Sequence, residues 1–476
     1  MVIIGAGIVG VTAARELSKY KLNTVVLEMN ADVGEGTTKA NSGIIHAGYD
    51  CEPGTQKAKL NVLGNELYNK LVEELHIPYR KNGAFVLAFS ESDMPVLKYE
   101  FVKAEANGVP DVRMFGHDEI LSMEKNINPN VYAALYAPTS GIISPYEAAI
   151  AFAESAYLNG VNFCLNTKVT NIEKIDGYYN ISTEKGIFQA KAVVNAAGLY
   201  SDTMNNYVSA KKYEIFPRRG EYLLFDRSAG SLMNITVFQL PTKLGKGVLI
   251  SPTVHGNMFI GPSAEDIDDK GSTITTAAGL QKITLEARLT SSAIPMDKVI
   301  TSFTGLRACL KGNDDFVVEE AQDAPGFINC LGINSPGLSS APAIAQKIAE
   351  MICNRLQPDF NNAFIAERQP IKLLREQSLE EQNRMIAENT RYGVIVCRCE
   401  TVTEGDVVDA ITRPLGARNI DSVKRRTRAG GGRCQGGFCG SKVMEILARE
   451  LNIKPAEVTK YGGGSNILYE RRNGVS

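Results

Sequence analysis

The apolar residues near the start of the chain come in two short runs separated by one longer segment. The runs are Val2–Ile4 and Thr24–Leu27, and the sequence GAGIVG at residues 5–10 predicts a turn into a helix that ends near Tyr20. Glu28 directly follows the second run. A strand, a helix and a second strand in this order predict a parallel sheet with a right-handed crossover.

Further apolar runs continue this sheet later in the chain. The expected elements are a helix at Pro145–Leu158, strands at Val161–Leu165, Ala190–Ala196 and Phe327–Ile333, and a helix at Ala341–Arg355. From Tyr213 to about Ile300 the pattern changes to short β-type runs, such as EYLLF, GVLIS and MFIGP, between turn residues. Such runs are typical of an antiparallel sheet, so the parallel sheet is interrupted by a second domain.

These patterns divide the chain into four regions. Residues 1–75, 140–212 and 301–356 are predicted to form a discontinuous α/β domain that binds a nucleotide, and residues 76–139 and 213–300 an α+β substrate domain. Residues 357–391 are polar and charged, with helical character at 372–388, and are expected to form a connecting arm. A change in composition at Tyr392 marks the start of a small C-terminal domain at 392–476.

Composition narrows the class of protein. The 476 residues are 44% hydrophobic and 22% charged, and the formal net charge of −2 gives no electrostatic case for binding nucleic acid or an anionic membrane. No apolar stretch is long enough for a membrane span, and the immediate start of a strand leaves no room for a signal peptide. We therefore expect a cytoplasmic protein. Of nine cysteines, five are scattered and are expected to be free thiols: Cys51, Cys164, Cys309, Cys330 and Cys353.

The glycine-rich turn has the residues that a dinucleotide site needs. Gly5 permits the tight turn, Gly7 lets a pyrophosphate approach the helix N-terminus, and Gly10 allows the helix to pack closely on the strand. Glu28 stands at the end of the second strand, where a carboxylate accepts hydrogen bonds from ribose hydroxyls. Both FAD and NAD satisfy this pattern.

Four segments favour FAD because they resemble one family. They are GEGTTKANSGIIHAG at 34–48, VVNAAGLYSD at 193–202, GLR at 305–307 and GINSPG at 332–337. In order and spacing, over about residues 1–355, they are similar to the D-amino-acid-oxidase-like, FAD-dependent oxidoreductases. The resemblance implies an FAD-binding Rossmann-type domain with an antiparallel-sheet substrate domain.

The resemblance also implies which residues bind FAD. Glu28 would bind the adenosine ribose, and Val169 would lie at the adenine. Thr38, Asn41, Ser42 and Gly43 would line the pyrophosphate and flavin, and Gly332 and Gly337 would approach the flavin end. Gly198 and the glycines of the turn, Gly5, Gly7 and Gly10, complete the predicted cofactor-binding residues.

Two histidines and one arginine are the catalytic candidates. His46 lies in the run NSGIIHAGYD, which looks like the SG-x-I-H-x-G run of related glycerol-3-phosphate and L-2-hydroxyglutarate dehydrogenases. The resemblance places the loop of His255 over the flavin, so either histidine is a candidate base. Arg307, in the GLR run, is suited to clamp an anionic substrate, with Arg218 and Arg219 as a second candidate pair.

The C-terminal cysteines form a ligand set. Cys397 and Cys399 make a C-x-C pair, and Cys434 and Cys439 make a C-x4-C pair. Four thiolates suit a zinc ion or an iron–sulfur cluster, and C-x-C is less usual for structural zinc. The region resembles the bacterioferritin-associated-ferredoxin-like domain, which implies a 2Fe–2S cluster. The basic run KRRTR at 424–428 is expected to be a solvated face, with docking of an acidic partner as the alternative.

Together the two resemblances imply a flavoenzyme that passes electrons onward. The chain is similar to anaerobic-type glycerol-3-phosphate dehydrogenases, which implies oxidation of a small anionic hydroxy substrate, electron transfer through the cluster and an electron-accepting protein subunit. The loop SPGLSSA at 335–341 lacks the lysine usual in that group and looks more like L-2-hydroxyglutarate dehydrogenases. A 2-hydroxy acid, an amine or amino acid, and a role as an electron-relay subunit therefore stay open.

Overall fold

A computed structural model describes residues 1–240 and 247–469. Residues 241–246 of the predicted substrate domain and 470–476 of the predicted C-terminal domain lie outside this part. The described chain contains two large sheets, three small ones and a helical C-terminal region.

The first large sheet has six strands and is parallel except at one edge. In spatial order its strands are Val317–Glu320, Phe327–Leu331, Val193–Asn195, Val2–Ile4, Val25–Leu27 and Asn162–Cys164. Four helices share a core with it: Ile8–Leu17, Gln56–Glu74, Pro145–Leu158 and Gly337–Leu356. Nearly every residue of the central strands is buried, as expected for parallel strands covered on both faces. The predicted nucleotide-binding fold class is confirmed.

Glycines make the first strand-to-helix turn possible. Gly5 has φ +101°, and a Cβ there would lie 2.5 Å from the Ala196 carbonyl oxygen. A Cβ on Gly10 would lie 1.9 Å from the Gly5 carbonyl oxygen. A larger residue at either position would therefore separate the helix from the sheet.

The second large sheet has nine strands and is mostly antiparallel. Its strands are Ala84–Ala88, Arg113–Gly116, Ala133–Ala137, Ile215–Phe225, Thr236–Gln239, Leu249–Pro252, Met258–Gly261, Glu265–Asp266 and Val299–Leu310. The long strand Val299–Leu310 pairs with Ile215–Phe225 along its length. Residues 301–310 therefore lie in this sheet, and the predicted boundary at 301 divides one continuous strand. The remaining domain boundaries stay predictions.

Smaller elements complete the two main layers. The small sheets comprise Val169–Ile175, Tyr178–Thr183 and Gly186–Ala190, and Ile44–Ile45, Tyr79–Arg80 and Gly141–Ile143. The remaining helices of this part are Met94–Ala106, His117–Met123, Ser201–Val208 and Ala277–Thr290.

The C-terminal region has a core of its own. Its elements are the strands Ile395–Cys397 and Val402–Thr403 and the helices Glu404–Thr412, Ile420–Thr427 and Gly440–Leu451. In the arm before it, the helix spans Leu379–Glu388, which is shorter than the helical stretch predicted from residue 372. It begins there because the Ser378 side chain accepts the Glu381 N–H and caps the helix.

In the basic run at 424–428 the three arginines are buried and Lys424 is half-buried, so the expectation of a solvated face is wrong. Arg426 makes two parallel hydrogen bonds to Asp32, of 2.6 and 2.9 Å. Arg425 donates to Asp32 at 2.8 Å and to Glu35 at 2.6 Å. These carboxylates lie in the loop that follows Glu28, so the run docks the C-terminal region onto the rest of the same chain. A second buried contact joins Arg413 to Glu154 at 3.0 Å.

Candidate functional site

A cavity of about 1770 Å³ extends between the two large sheets and the C-terminal region. All predicted site residues of the first two domains line it except Gly10, Gly332 and Arg219. Gly10 instead packs against Gly5, and Gly332, with φ +67°, packs against Leu310. Arg428, Gly431 and Gln435 of the C-terminal region also line the cavity.

Glu28 fixes the glycine-rich turn at one end of the cavity. Its Oε2 accepts the Ala6 N–H at 2.7 Å, and its Oε1 accepts the backbone and side-chain N–H groups of Asn30 at 2.9 and 2.8 Å. Burial raises the pKa of Glu28, and these hydrogen bonds oppose the rise. Glu28 and Val169 line the same cavity, and their contacts with the adenosine of FAD stay predictions.

The helix N-terminus at Gly7 faces the cavity and is braced by the following loop. Thr38 Oγ1 accepts the Ile8 N–H at 3.0 Å. In the same loop, Asn41 donates to the Thr38 carbonyl at 2.7 Å and accepts the Gly43 N–H at 2.8 Å. The positive end of a helix beside a glycine suits a pyrophosphate, so this end of the cavity fits the phosphates of a dinucleotide.

His46 also lines the cavity, and its backbone is held by three hydrogen bonds. Its backbone N–H donates to Ser339 Oγ at 2.7 Å, and its carbonyl accepts from Asn61 and Asn65 at 3.1 Å each. The imidazole is buried and lies 5.8 Å from the ring of Phe238, measured between centroids. The helices Gln56–Glu74 and Gly337–Leu356 therefore fix the backbone of this histidine together.

His255 reaches the cavity from the larger sheet. Its Nε2 lies 2.6 Å from Glu147 Oε1. Burial raises the pKa of Glu147, but His255, Ser144 and Arg428 together outweigh this effect and lower it. Glu147 is thus a buried carboxylate that orients the imidazole.

Arg307 lies on the strand that returns towards the first sheet. Its two terminal nitrogens are each 3.5 Å from the Ser263 carbonyl oxygen, and among the described residues it makes no salt bridge. It lies beside the phenol of Tyr222, which stacks on Phe303 with ring centroids 4.6 Å apart. A cavity-lining guanidinium in this state has donors available for an anion.

The second candidate pair is already engaged with carboxylates. Arg218 donates to Asp266 at 2.5 and 3.0 Å, and Arg219 pairs with Glu265. Arg218 stands directly across from Arg307 in the strand register and lines the cavity, whereas Arg219 does not.

The four C-terminal cysteines come together as two pairs. Cys399 Sγ lies 3.5 Å from Cys434 Sγ. The Cys439 thiol lowers the pKa of Cys397 to about 6 against the effect of burial, and the backbone N–H groups of Gly430 and Glu400 add to this lowering. Two pairs of sulfur donors supported by backbone N–H groups fit a 2Fe–2S cluster with four thiolate ligands.

Several residues of the site were not found from sequence. They are Tyr146, Glu147, Tyr222, Ser339 and Arg428. Only Arg428 had a local sequence signal, because it belongs to the basic run. That run was predicted to be a solvated face. The others contact the site through partners that are distant in sequence.

Comparison with known proteins identifies the class. The family model for FAD dependent oxidoreductases (DAO) matches residues 1–351, and the model for the BFD-like 2Fe–2S binding domain matches residues 395–449. The chain belongs to the DAO family of FAD-dependent oxidoreductases and carries a C-terminal 2Fe–2S domain. FAD and a 2Fe–2S cluster are thus its cofactors. The residues that line the cavity fit FAD, and the paired cysteines fit the cluster.

Named relatives narrow the comparison. The glycerol 3-phosphate dehydrogenase of Caloramator mitchellensis is 50% identical over 467 residues, which cover 98% of this chain and 97% of the relative. The FAD-bound L-alpha-glycerophosphate oxidase of Mycoplasma pneumoniae has a TM-score of 0.74 and 32% identity, covering 77% of this chain and 97% of its own. The mitochondrial L-2-hydroxyglutarate dehydrogenase of Arabidopsis thaliana is 29% identical, covering 73% and 82% respectively.

Across residues 1–240 and 247–469, none of the helices has the length and apolar character to cross a membrane.

Anaerobically purified protein is expected to contain about two iron and two sulfide ions per chain, as a 2Fe–2S cluster requires. Cys434→Ser should abolish the low-temperature EPR signal of the dithionite-reduced cluster, because it removes one of four ligands. Cys353→Ser, at a half-buried cysteine outside the ligand set, is the matched control and should keep the signal. Stoichiometric zinc without sulfide would contradict the cluster.

Proposed function

We propose that the chain oxidises sn-glycerol 3-phosphate. The observation that carries this proposal is the 50% identity to a glycerol 3-phosphate dehydrogenase over 98% of the chain. The site supports it, since two imidazoles and a guanidinium that forms no salt bridge with any described residue line one cavity beside the proposed flavin-binding loop. The reaction needs an anion clamp and a base for the hydroxyl proton.

When bound, FAD accepts the hydride from the carbon that carries the hydroxyl group. We assign the base to His46, because three hydrogen bonds from the helices Gln56–Glu74 and Gly337–Leu356 fix its backbone. His255 is then the residue that orients the substrate from the opposite wall, in contact with Glu147. The two histidines approach the cavity from different sheets, so a small substrate between them would touch both domains.

Electrons are proposed to leave through the C-terminal region to an electron-accepting protein. A 2Fe–2S cluster supplies one-electron transfer. Gly431 and Gln435, which flank the ligand Cys434 in sequence, line the flavin cavity, so the ligand loop lies beside it. Cys399 and Cys434 are half-buried, so this end of the cluster site is accessible to a partner.

A 2-hydroxy acid is the second candidate substrate. It is favoured by the loop at 335–341, which lacks a lysine, and by the 29% identity to an L-2-hydroxyglutarate dehydrogenase. Both substrates are anionic alcohols, so the same clamp and base serve either one.

Anaerobic titration of the oxidised protein decides the substrate. Absorbance near 450 nm should bleach with sn-glycerol 3-phosphate and respond far less to L-2-hydroxyglutarate, amino acids or secondary amines. Preferential bleaching by L-2-hydroxyglutarate would show that this compound, and not sn-glycerol 3-phosphate, is the substrate. Absence of bleaching by any of these compounds would favour an electron-relay subunit.

Arg307→Ala is expected to lower the rate constant of flavin reduction divided by the apparent dissociation constant of the substrate more than about tenfold. The reason is that one charge-assisted clamp contributes about 1.5–3 kcal/mol. Arg307→Lys keeps the charge but loses the planar fork, so it should recover the rate only in part. FAD content should not change. Arg219→Lys, at a neighbouring arginine outside the cavity wall, is the control. Wild-type efficiency in the alanine variant would make Arg307 a structural residue.

A further inference from the structure

We propose that the C-terminal cluster domain forms one wall of the substrate pocket, and that Arg428 is the positioning residue through which it holds His255 in place. This inference rests on the proposed function, because it concerns the same pocket. It adds a residue from a different domain to the machinery that orients the substrate.

Arg428 occupies an unusual place for an arginine. It follows the helix Ile420–Thr427 with φ 72°, a left-handed conformation in which glycine is the common residue. The side chain is nevertheless only 9% exposed, and it lines the same cavity as His46 and His255. A long charged side chain held there needs partners that explain its position.

Those partners link the cluster loop to the pocket. Arg428 Nε donates to Glu400 Oε2 at 2.7 Å, and Glu400 directly follows the ligand Cys399. Its Nη2 donates to Asn257 Oδ1 at 2.8 Å, and the guanidinium also lies beside the phenol of Tyr146. One guanidinium therefore contacts the nucleotide-binding domain, the substrate domain and the C-terminal domain.

Asn257 closes the turn that carries His255. The Asn257 N–H donates to Thr253 Oγ1 at 3.0 Å, its carbonyl accepts the Thr253 N–H at 2.8 Å, and its side-chain amide donates to the Phe225 carbonyl at 2.8 Å. His255 lies between Thr253 and Asn257 in the chain, at the tip of the turn. Arg428 thus holds the base of this turn through the remaining amide oxygen of Asn257.

The acidic partner of His255 lies in reach of the same arginine. Glu147 follows Tyr146 in the first turn of the helix Pro145–Leu158, and its carboxylate contacts the His255 imidazole at 2.6 Å. Arg428 therefore supports both sides of the imidazole, the turn that carries it and the helix turn that supplies its carboxylate.

Docking of the domain does not depend on Arg428. Arg425 and Arg426 bind Asp32 and Glu35, and Arg413 binds Glu154, all in buried contacts. Loss of the Arg428 side chain should therefore leave the domain in place and disturb the His255 turn.

The test is rapid-mixing anaerobic flavin reduction with the full-length protein. Arg428→Ala is expected to lower the limiting rate about tenfold or more, as misplacement of an orienting group does, with FAD and iron contents unchanged. Arg428→Lys should recover the rate only in part, because one ammonium group cannot span Glu400 and Asn257. Arg449→Ala, at a half-exposed arginine of the same domain that pairs with Glu404, should keep the wild-type rate.

Asn257→Ala removes the contact between Arg428 and the His255 turn without removing the charge of Arg428. It should reproduce most of the Arg428→Ala loss, and the double variant should be no more than about twofold slower than the slower single variant. Independent, multiplying losses would overturn the proposal, as would a wild-type rate in Asn257→Ala. If Arg428→Ala loses FAD or iron, the Asn257→Ala result alone decides.

Amide hydrogen exchange without substrate gives a second readout. The segment 253–257 should exchange faster in Arg428→Ala and Asn257→Ala but not in Arg449→Ala. Unchanged exchange would overturn the positioning role. Failure of sn-glycerol 3-phosphate to reduce the wild-type flavin would contradict the proposed substrate alone, since the exchange result is independent of substrate.

Discussion

Replacement of His46 by asparagine is expected to slow flavin reduction at least about 100-fold at saturating sn-glycerol 3-phosphate, because removal of a positioned base costs about 100- to 10,000-fold. Asparagine is similar in size and keeps the backbone contacts to Ser339, Asn61 and Asn65, so FAD content should stay at the wild-type level. Stopped-flow absorbance near 450 nm under anaerobic conditions measures the rate.

Two comparisons make this result specific. His117→Asn changes a half-exposed histidine that pairs with Asp118 outside the cavity, and it should reduce at the wild-type rate. His255→Asn should show a smaller loss than His46→Asn if His255 orients the substrate. A larger loss of rate in His255→Asn than in His46→Asn would show that His255 is the base.

Asp32→Ala is expected to lower the free energy of unfolding by about 3–5 kcal/mol at neutral pH, because it leaves two buried arginines without their shared carboxylate. Asp32 is 3% exposed and accepts from both Arg425 and Arg426. The midpoint of urea unfolding, followed by circular dichroism, measures the change. Asp359→Ala is the matched control, since its exposed contact with Lys21 at 3.9 Å should contribute less than about 1 kcal/mol.

The pH dependence of this effect has a definite sign. Burial raises the pKa of Asp32, but Arg426 and Arg425 outweigh it and place the pKa below its usual value. A depressed folded pKa means that the stabilisation is complete above the ordinary aspartate pKa of about 3.9 and is lost as pH falls through the folded value. The difference between wild type and Asp32→Ala should therefore shrink in acid. A difference that grows in acid would contradict the ion pair.

Local sequence signals predicted the parts of the molecule that are encoded locally. The glycine turn, the strand ending at Glu28 and the paired cysteines each depend on residues close together in the chain, and their spacing is itself the constraint. The FAD and iron–sulfur assignments followed from these segments and are confirmed by the family models. The roles assigned to His46, His255 and Arg307 stay predictions.

Long-range partners account for what the sequence could not show. A run of four cations in five residues is typical of a solvated face, and nothing near it in sequence indicates otherwise. Its carboxylates belong to Asp32 and Glu35, and Asp32 and Arg425 are 393 positions apart. Likewise Glu147 and His255 are 108 positions apart. Charge patterning along one segment carries no information about such pairs.

The ion pairs between the two ends of the chain have a consequence for biosynthesis. Asp32 and Glu35 leave the ribosome early, whereas Arg425 and Arg426 follow only after most of the chain has been made. Until then the two carboxylates lack these two arginines, and burying them without the arginines would be costly. The loop that follows Glu28 therefore reaches its final packing only after Arg425 and Arg426 have been translated. Nascent chains arrested before residue 425 should form the six-stranded sheet and still leave this loop open to protease.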